Sequence, residues 1–223
     1  MPPNLLIFDF DGTLADTWRD IGSALNATLV EAGLATASGE QVRAWVGEGV
    51  QRLLERAAPQ VAPDAARLEA LIGRFREIYA GGCLETTVLY PGVRACLDQL
   101  AAHRLAILSN KPEGLVRRIA EGLGIAARFA AIAGGDTLAV RKPDPATIAH
   151  VARLSGAADG PAWMIGDSAV DVATGRAAGA RTIGCAWGLR GAAELRAAGV
   201  DHLVEHPAEI PPLVAAARSQ TLV

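Results

Sequence analysis

Short apolar runs recur along the chain at 5–9 (LLIFD), 105–109 (LAILS), 129–133 (FAAIA), 162–166 (AWMIG) and 181–186 (RTIGCA). They are too short for helices and lack alternation, which predicts strands buried on both faces, as in a parallel sheet. Stretches of helical periodicity lie between them at 92–103, 113–122, 145–155, 168–179 and 191–198. Strand and helix alternating in this order predict an α/β fold, a doubly wound parallel sheet with a Rossmann-like core. The helix at 145–155 carries a start signal, with Asp144 placed as N-cap and Pro145 at the first helical position, where its missing N–H costs nothing.

Residues 15–82 break the alternation. They hold helical stretches at about 17–32, 39–46, 49–57 and 64–80 and no convincing strand. The expected organisation is an α/β core over 1–14 and 83–223 with an inserted all-helical cap over 15–82. Both junctions fall beside the carboxyl end of the sheet, where ligands bind in such folds, so the insertion is placed to act as a lid.

The length of 223 residues suits a main domain of ~150 residues plus a smaller one. Hydrophobic residues make up 51% and aromatics only 4%, so the core must be built mainly from Ala, Val, Leu and Ile. A net charge of -3 with scattered arginines offers no footprint for a nucleic acid. Cys83, Cys96 and Cys185 are odd in number and lack metal or redox spacing, which predicts three reduced thiols. The N-terminus lacks signal-peptide character, and no stretch reaches the ~18 uncharged apolar residues of a membrane span. The expectation is a soluble cytoplasmic monomer or homodimer that meets a small molecule, not a nucleic acid or a membrane.

Chemistry enters at the strand ends. Asp9-Phe10-Asp11-Gly12-Thr13 follows the first apolar run. Two carboxylates on one side of an extended chain are costly unless a cation or a shared proton relieves them. A calcium loop is excluded by spacing, since its fifth and sixth positions would be Thr13 and Leu14. Magnesium, which takes few protein carboxylates and keeps room for phosphate, suits the pair. Ser109-Asn110-Lys111 closes another run, and a hydroxyl with backbone N–H groups at a strand-to-helix turn can hold phosphate oxygens, although the same tripeptide also makes an ordinary helix entrance. Lys142 could neutralise phosphate and nucleophile, or simply face water as Arg141 is expected to do. In Gly166-Asp167-Ser168-Ala169-Val170-Asp171, Asp167 is placed as a metal ligand and Asp171 behind it, with a plain N-cap as the alternative for Asp167. All four segments fall at carboxyl ends of predicted strands of one sheet, which together supply the parts of phosphoryl transfer through an aspartyl phosphate.

These residues resemble the four motifs of the haloacid-dehalogenase-like hydrolase superfamily: Asp9 to Thr17 (DFDGTLADT), Ser109 to Lys111, Lys142 with its prolines, and Gly166 to Asp171. Tyr90-Pro91-Gly92-Val93 and Val46-Gly47-Glu48-Gly49-Val50 look like the phosphoglycolate phosphatases of that superfamily. The resemblance implies that Asp9 is the nucleophile and Asp11 the general acid/base. It implies magnesium on Asp9, Asp167 and the Asp11 carbonyl with Asp171 in support, phosphate on Ser109, Asn110 and Gly12, and Lys142 as counter-charge. At the cap, Gly49 opens a helix, and Arg52 beyond it is the expected receiver of a substrate carboxylate, with an outward-facing Arg52 as the alternative. Other chemistries weigh less. A dehalogenase needs neither magnesium nor Asp11, a sugar phosphomutase needs a bisphosphate activator, and a receiver-like signalling protein is shorter and lacks the helical insertion.

Overall fold

A computed structural model of the chain describes residues 4–157 and 162–220. In chain order the elements begin with β1 (Leu5–Phe8), β2 (Ala15–Asp16), α1 (Trp18–Glu31), α2 (Gly39–Trp45), α3 (Val50–Ala57) and α4 (Ala65–Gly82). They continue with β3 (Val88–Leu89), α5 (Val93–Gln99), β4 (Arg104–Leu108), α6 (Glu113–Gly122), β5 (Ala131–Ala133) and α7 (Ala146–Leu154). The last are β6 (Ala162–Gly166), α8 (Ala169–Ala177), β7 (Arg181–Cys185), α9 (Gly191–Ala197), β8 (His202–Val204) and α10 (Ile210–Gln220).

Six strands form one parallel sheet in the order β5-β4-β1-β6-β7-β8. Alternation sends Leu6, Phe8, Leu105, Ile107, Trp163 and Ile165 into the hydrophobic layer on one face, and Leu5, Ile7, Ala106, Leu108 and Met164 into the layer on the other. Both faces are therefore dry, and burial of each large side chain is worth about 1.5–3 kcal/mol. Register then decides the site. Phe8 pairs with Ile107 on one side and Ile165 on the other, so Asp9, Ser109 and Asp167 leave three adjacent strands at one edge.

The four helices between β2 and β3 pack on one another through Leu25, Leu29, Leu54, Leu68, Ile72 and Phe75. Local chemistry fixes their starts. Ser38 and Gln41 form a capping box on α2, and Asp64 accepts from the Arg67 amide at the head of α4. The helical layer is tied to the sheet by two crossings, which pair as β2 and β3 in antiparallel register. Asp20 on α1 secures them: its buried carboxylate accepts from the amides and hydroxyls of Thr86 and Thr87.

Several expectations shift. The 15–82 stretch does contain a strand, β2, two residues long and legible only once its partner β3 is known. The edge strand β8 and helix α10 also escape the apolar pattern. The helix read at 92–103 stops at Gln99. Asp144 is not the N-cap of α7: that position is Pro145, and Asp144 reaches from one residue earlier to accept from Ala146 N at 2.8 Å.

Candidate active site

Asp9 is the first residue beyond β1, anchored through its amide to the Ile165 carbonyl at 2.8 Å. Its Oδ1 accepts from Phe10 N at 2.7 Å and meets Lys142 Nζ at 2.9 Å. The same ammonium donates to Asp171 Oδ1 at 2.6 Å. Asp171 is in turn fixed through Oδ2 by the Ser168 hydroxyl at 2.7 Å and amide at 3.1 Å. Ser168, not Asp167, is the N-cap of α8, which leaves the Asp167 side chain for the site. Asp167 accepts from Leu189 N at 2.7 Å, and Thr13 Oγ1 stands 3.4 Å away.

Two glycines make this packing possible. A Cβ on Gly12, whose φ is +85°, would fall 2.3 Å from Asp167 Oδ2, and one on Gly188 would fall 2.2 Å from Asp167 Cβ. Asp9, Asp167 and Asp171, all buried, bring carboxylate oxygens within 4.8 Å of one another. Burial, with Asp171 adding repulsion and Lys142 opposing, pushes the Asp9 carboxyl up to about 7. Burial and the charges of Asp171 and Asp9 drive Asp167 well above the carboxylate range. Burial also works against the Lys142 ammonium, but Asp171 and Asp9 outweigh it and hold the proton on. Three carboxylates share one ammonium, so the donor set is short of positive charge. All-oxygen ligands at this spacing fit a hard divalent cation such as magnesium.

Asp11 stands apart from that cluster. Its Oδ1 accepts from Lys111 Nζ at 2.5 Å and Thr17 Oγ1 at 2.6 Å. Of Asp11, only the backbone carbonyl was expected among the metal's ligands, in keeping with a carboxylate engaged elsewhere. Lys111 belongs to the Ser109–Lys111 turn singled out in the sequence, but no role was expected of it there. It is buried, its Nζ lies 4.7 Å from the Tyr79 ring centroid, and Asp11 and Tyr79 together overcome the penalty of burial to raise its pKa.

Above the carboxylates the cap closes a cleft lined by Asp9, Asp11, Ser109 and Lys111 on the sheet side and by Val46, Leu53, Phe75, Arg76 and Tyr79 on the helical side. Two core residues grip the loop that follows α2. The Asn110 side chain donates to Gly47 O and Lys142 O, both at 3.3 Å, so it ties the helical layer to the core, while the phosphate contact expected at this position is through its backbone amide. Arg190, next to the Leu189 that holds Asp167, donates to the carbonyls of Ala44 and Val46 at the end of α2. Gly49 lines the cleft as the N-cap of α3, with φ +92°. Arg52 is not brought to the site. It pairs with Glu55 on its own helix at 2.9 Å, and its side chain is 64% exposed. Arg141 is exposed, as expected.

A buried acidic cluster at the strand ends of a parallel sheet, beneath an inserted helical layer, defines a class, and comparison agrees with it. Residues 6–185 match the family of haloacid dehalogenase-like hydrolases. The chain belongs to that family. A phosphoglycolate phosphatase from Rhodospirillum rubrum is 40% identical over 194 residues, spanning 83% of this chain and 80% of the relative. A phosphoglycolate phosphatase from Pseudomonas putida is 38% identical over 192 residues, spanning 83% and 70%. Among solved structures, a predicted phosphoglycolate phosphatase from Haemophilus somnus superposes with a TM-score of 0.85 at 26% identity, covering 94% of this chain and 97% of the other. A haloacid dehalogenase-like hydrolase from Streptococcus pneumoniae shares the fold with a TM-score of 0.83 at 21% identity, covering 94% and 97%. No helix among the described residues is long and apolar enough to cross a membrane.

Proposed function

We propose that this chain is a magnesium-dependent phosphatase of small phosphate monoesters, 2-phosphoglycolate in the first instance, working through a phosphorylated Asp9. The observation that carries this reading is the meeting of Asp9, Lys142, Asp167 and Asp171 in one buried cluster, with Asp11 and Ser109 on the wall of the adjoining cleft. The relatives named for phosphoglycolate point to the substrate.

In the first step an Asp9 carboxylate oxygen bonds to phosphorus and the phosphorus–oxygen ester bond breaks. Asp11, protonated, passes its proton to the departing alkoxide. In the second step Asp11, now a carboxylate, takes a proton from water as that water attacks phosphorus. Inorganic phosphate leaves and Asp9 is restored. Lys142 lies against the nucleophile and offsets charge spreading over the phosphoryl oxygens, and Ser109 Oγ can donate to those oxygens. Magnesium, held by Asp9, Asp167 and the Asp11 carbonyl with Asp171 in support, would supply Lewis-acid neutralisation of the same oxygens. Lys111 and Thr17 orient Asp11 toward the cleft, and the lid keeps bulk water from the reacting atoms.

The test is phosphate release from a panel of monoesters with and without magnesium. Turnover is expected only with the ion, and best with phosphoglycolate among two- and three-carbon esters. Equal rates after chelation would refute the metal requirement, and a better ester without a carboxylate would refute the substrate.

A further inference from the structure

Resting on the phosphoglycolate reading, the remaining question is which group receives the end of the substrate that carries no phosphate. Most cations near the cleft already have a partner, and Arg141, whose Nη1 would lie 3.3 Å from a Cβ on Gly49, is not among the residues that line it. Lys142 is held by Asp9 and Asp171, and Lys111 by Asp11. On the cap, Arg52 is held by Glu55, Arg56 by Glu48, and Arg74 by Glu31 and Glu77. Arg76 lines the cleft and makes no hydrogen bond or ion pair among the described residues. Arg76 is exposed to solvent and shares the lining with the apolar side chains of Ile21, Val50, Leu53, Phe75 and Leu115.

A second observation lies one helical turn away. Tyr79 is 1% exposed and lines the same cleft, and its buried hydroxyl, beside a Lys111 ammonium that can only donate to it, has no acceptor for its own O–H. Burial keeps that phenol protonated, hence a donor. Residues three apart on a helix are neighbours, so a five-donor guanidinium and a lone hydroxyl converge on one part of the cleft. The Lys111 ammonium, bonded to Asp11 and 4.7 Å from the Tyr79 ring centroid, links this part of the cleft to the Asp11 carboxylate.

We infer that Arg76, assisted by the Tyr79 hydroxyl, binds the carboxylate of the phosphate ester and is the residue that makes this enzyme prefer phosphorylated hydroxy-acids to uncharged esters. Arg52, on the outer surface of α3, has no such part.

Binding to the Asp9→Asn protein separates this from the substrate reading, because it needs no turnover. Dissociation constants are measured by calorimetry for phosphoglycolate and for ethyl phosphate, which has the same phosphate and no carboxylate. In the Asp9→Asn background, Arg76→Ala should weaken phosphoglycolate by roughly 30-fold or more and leave ethyl phosphate within about 2-fold, the scale of a charge-assisted pair in a partly dry site. Arg76→Lys should recover part of the loss, Tyr79→Phe should cost a few-fold for phosphoglycolate alone, and Arg52→Ala should change neither ligand. A loss shared equally by both ligands, or a selective loss from Arg52→Ala in place of Arg76→Ala, would overturn the assignment. A wild-type preference for a longer carboxylate ester that Arg76→Ala abolishes would keep Arg76 and replace phosphoglycolate. The absence of any carboxylate preference would sink both.

Discussion

The buried carboxylate of Asp20 offers a test of how the lid is held, because it touches neither the cleft nor the catalytic cluster. Oδ1 accepts from Thr86 N at 3.0 Å and Thr86 Oγ1 at 2.5 Å, and Oδ2 from Thr87 N at 2.9 Å and Thr87 Oγ1 at 2.7 Å. Asp20→Ala strands these donors unequally. Thr86 is exposed and turns to water, whereas Thr87 is 5% exposed and keeps two unsatisfied donors. At about 1–3 kcal/mol for each buried orphan, the expected loss is roughly 3 kcal/mol. Asp20→Asn keeps an oxygen for Thr87 and should lose only about half as much. Burial opposes the ionised form, but the bonds from Thr86 and Thr87 prevail and hold the Asp20 pKa below the usual 3.8. The sign follows: a depressed pKa stabilises the fold above the unfolded value, and that contribution fades as pH falls through the folded one. Urea denaturation of wild type and variants at pH 7 and near pH 3 measures it, with the Asp20→Asn deficit full at pH 7 and shrunken in acid. Thr87→Val in a double-mutant cycle should show a coupling of at least about 1 kcal/mol. A loss below about 0.5 kcal/mol for Asp20→Ala, or one that grows in acid, would refute the reasoning.

Other outcomes follow from the same geometry. Arg190→Ala removes the cation from the carbonyl end of α2 and so loosens the closed lid; the Michaelis constant should rise several-fold while urea stability changes by less than about 1 kcal/mol. An unchanged constant would mean that the lid closes without it. Gly12→Ala forces a Cβ toward Asp167 Oδ2 at a φ of +85°, and kcat should fall at least ~100-fold with a higher magnesium requirement. Normal magnesium dependence in that variant would dissociate Asp167 from the ion.

Much of this architecture could be read from the chain because a doubly buried parallel sheet writes itself as apolar runs, and because each run that ends in a chemically loaded turn lies at the same edge. The expected ends of β1, β4 and β6 fall within a residue of those observed. What escaped is short or non-local. Pro211 and Pro212 look like breakers, yet in the first turn of α10 they remove only N–H groups that have no helical partner. The edge strand β8 is three residues long among polar neighbours, too brief for a period. Lys111 reads as an ordinary helix-entrance lysine until β4 is seen beside β1, which delivers its ammonium to Asp11. For Arg52 a local clue existed, the glutamate three residues on, which favours an outward pair on the helix surface. Nothing around Arg76 distinguished it, since its place in the cleft depends on how α4 packs against α1 and α3.

The central claim is that Asp9 itself accepts the phosphoryl group. It is tested most directly by quenching the enzyme in acid during turnover and mapping its peptides by mass. The account predicts a phosphoryl adduct on the peptide containing Asp9, absent from Asp9→Asn, with turnover of that variant lower by at least roughly a thousandfold. Undiminished phosphate release from Asp9→Asn, or an adduct confined to another residue, would contradict it.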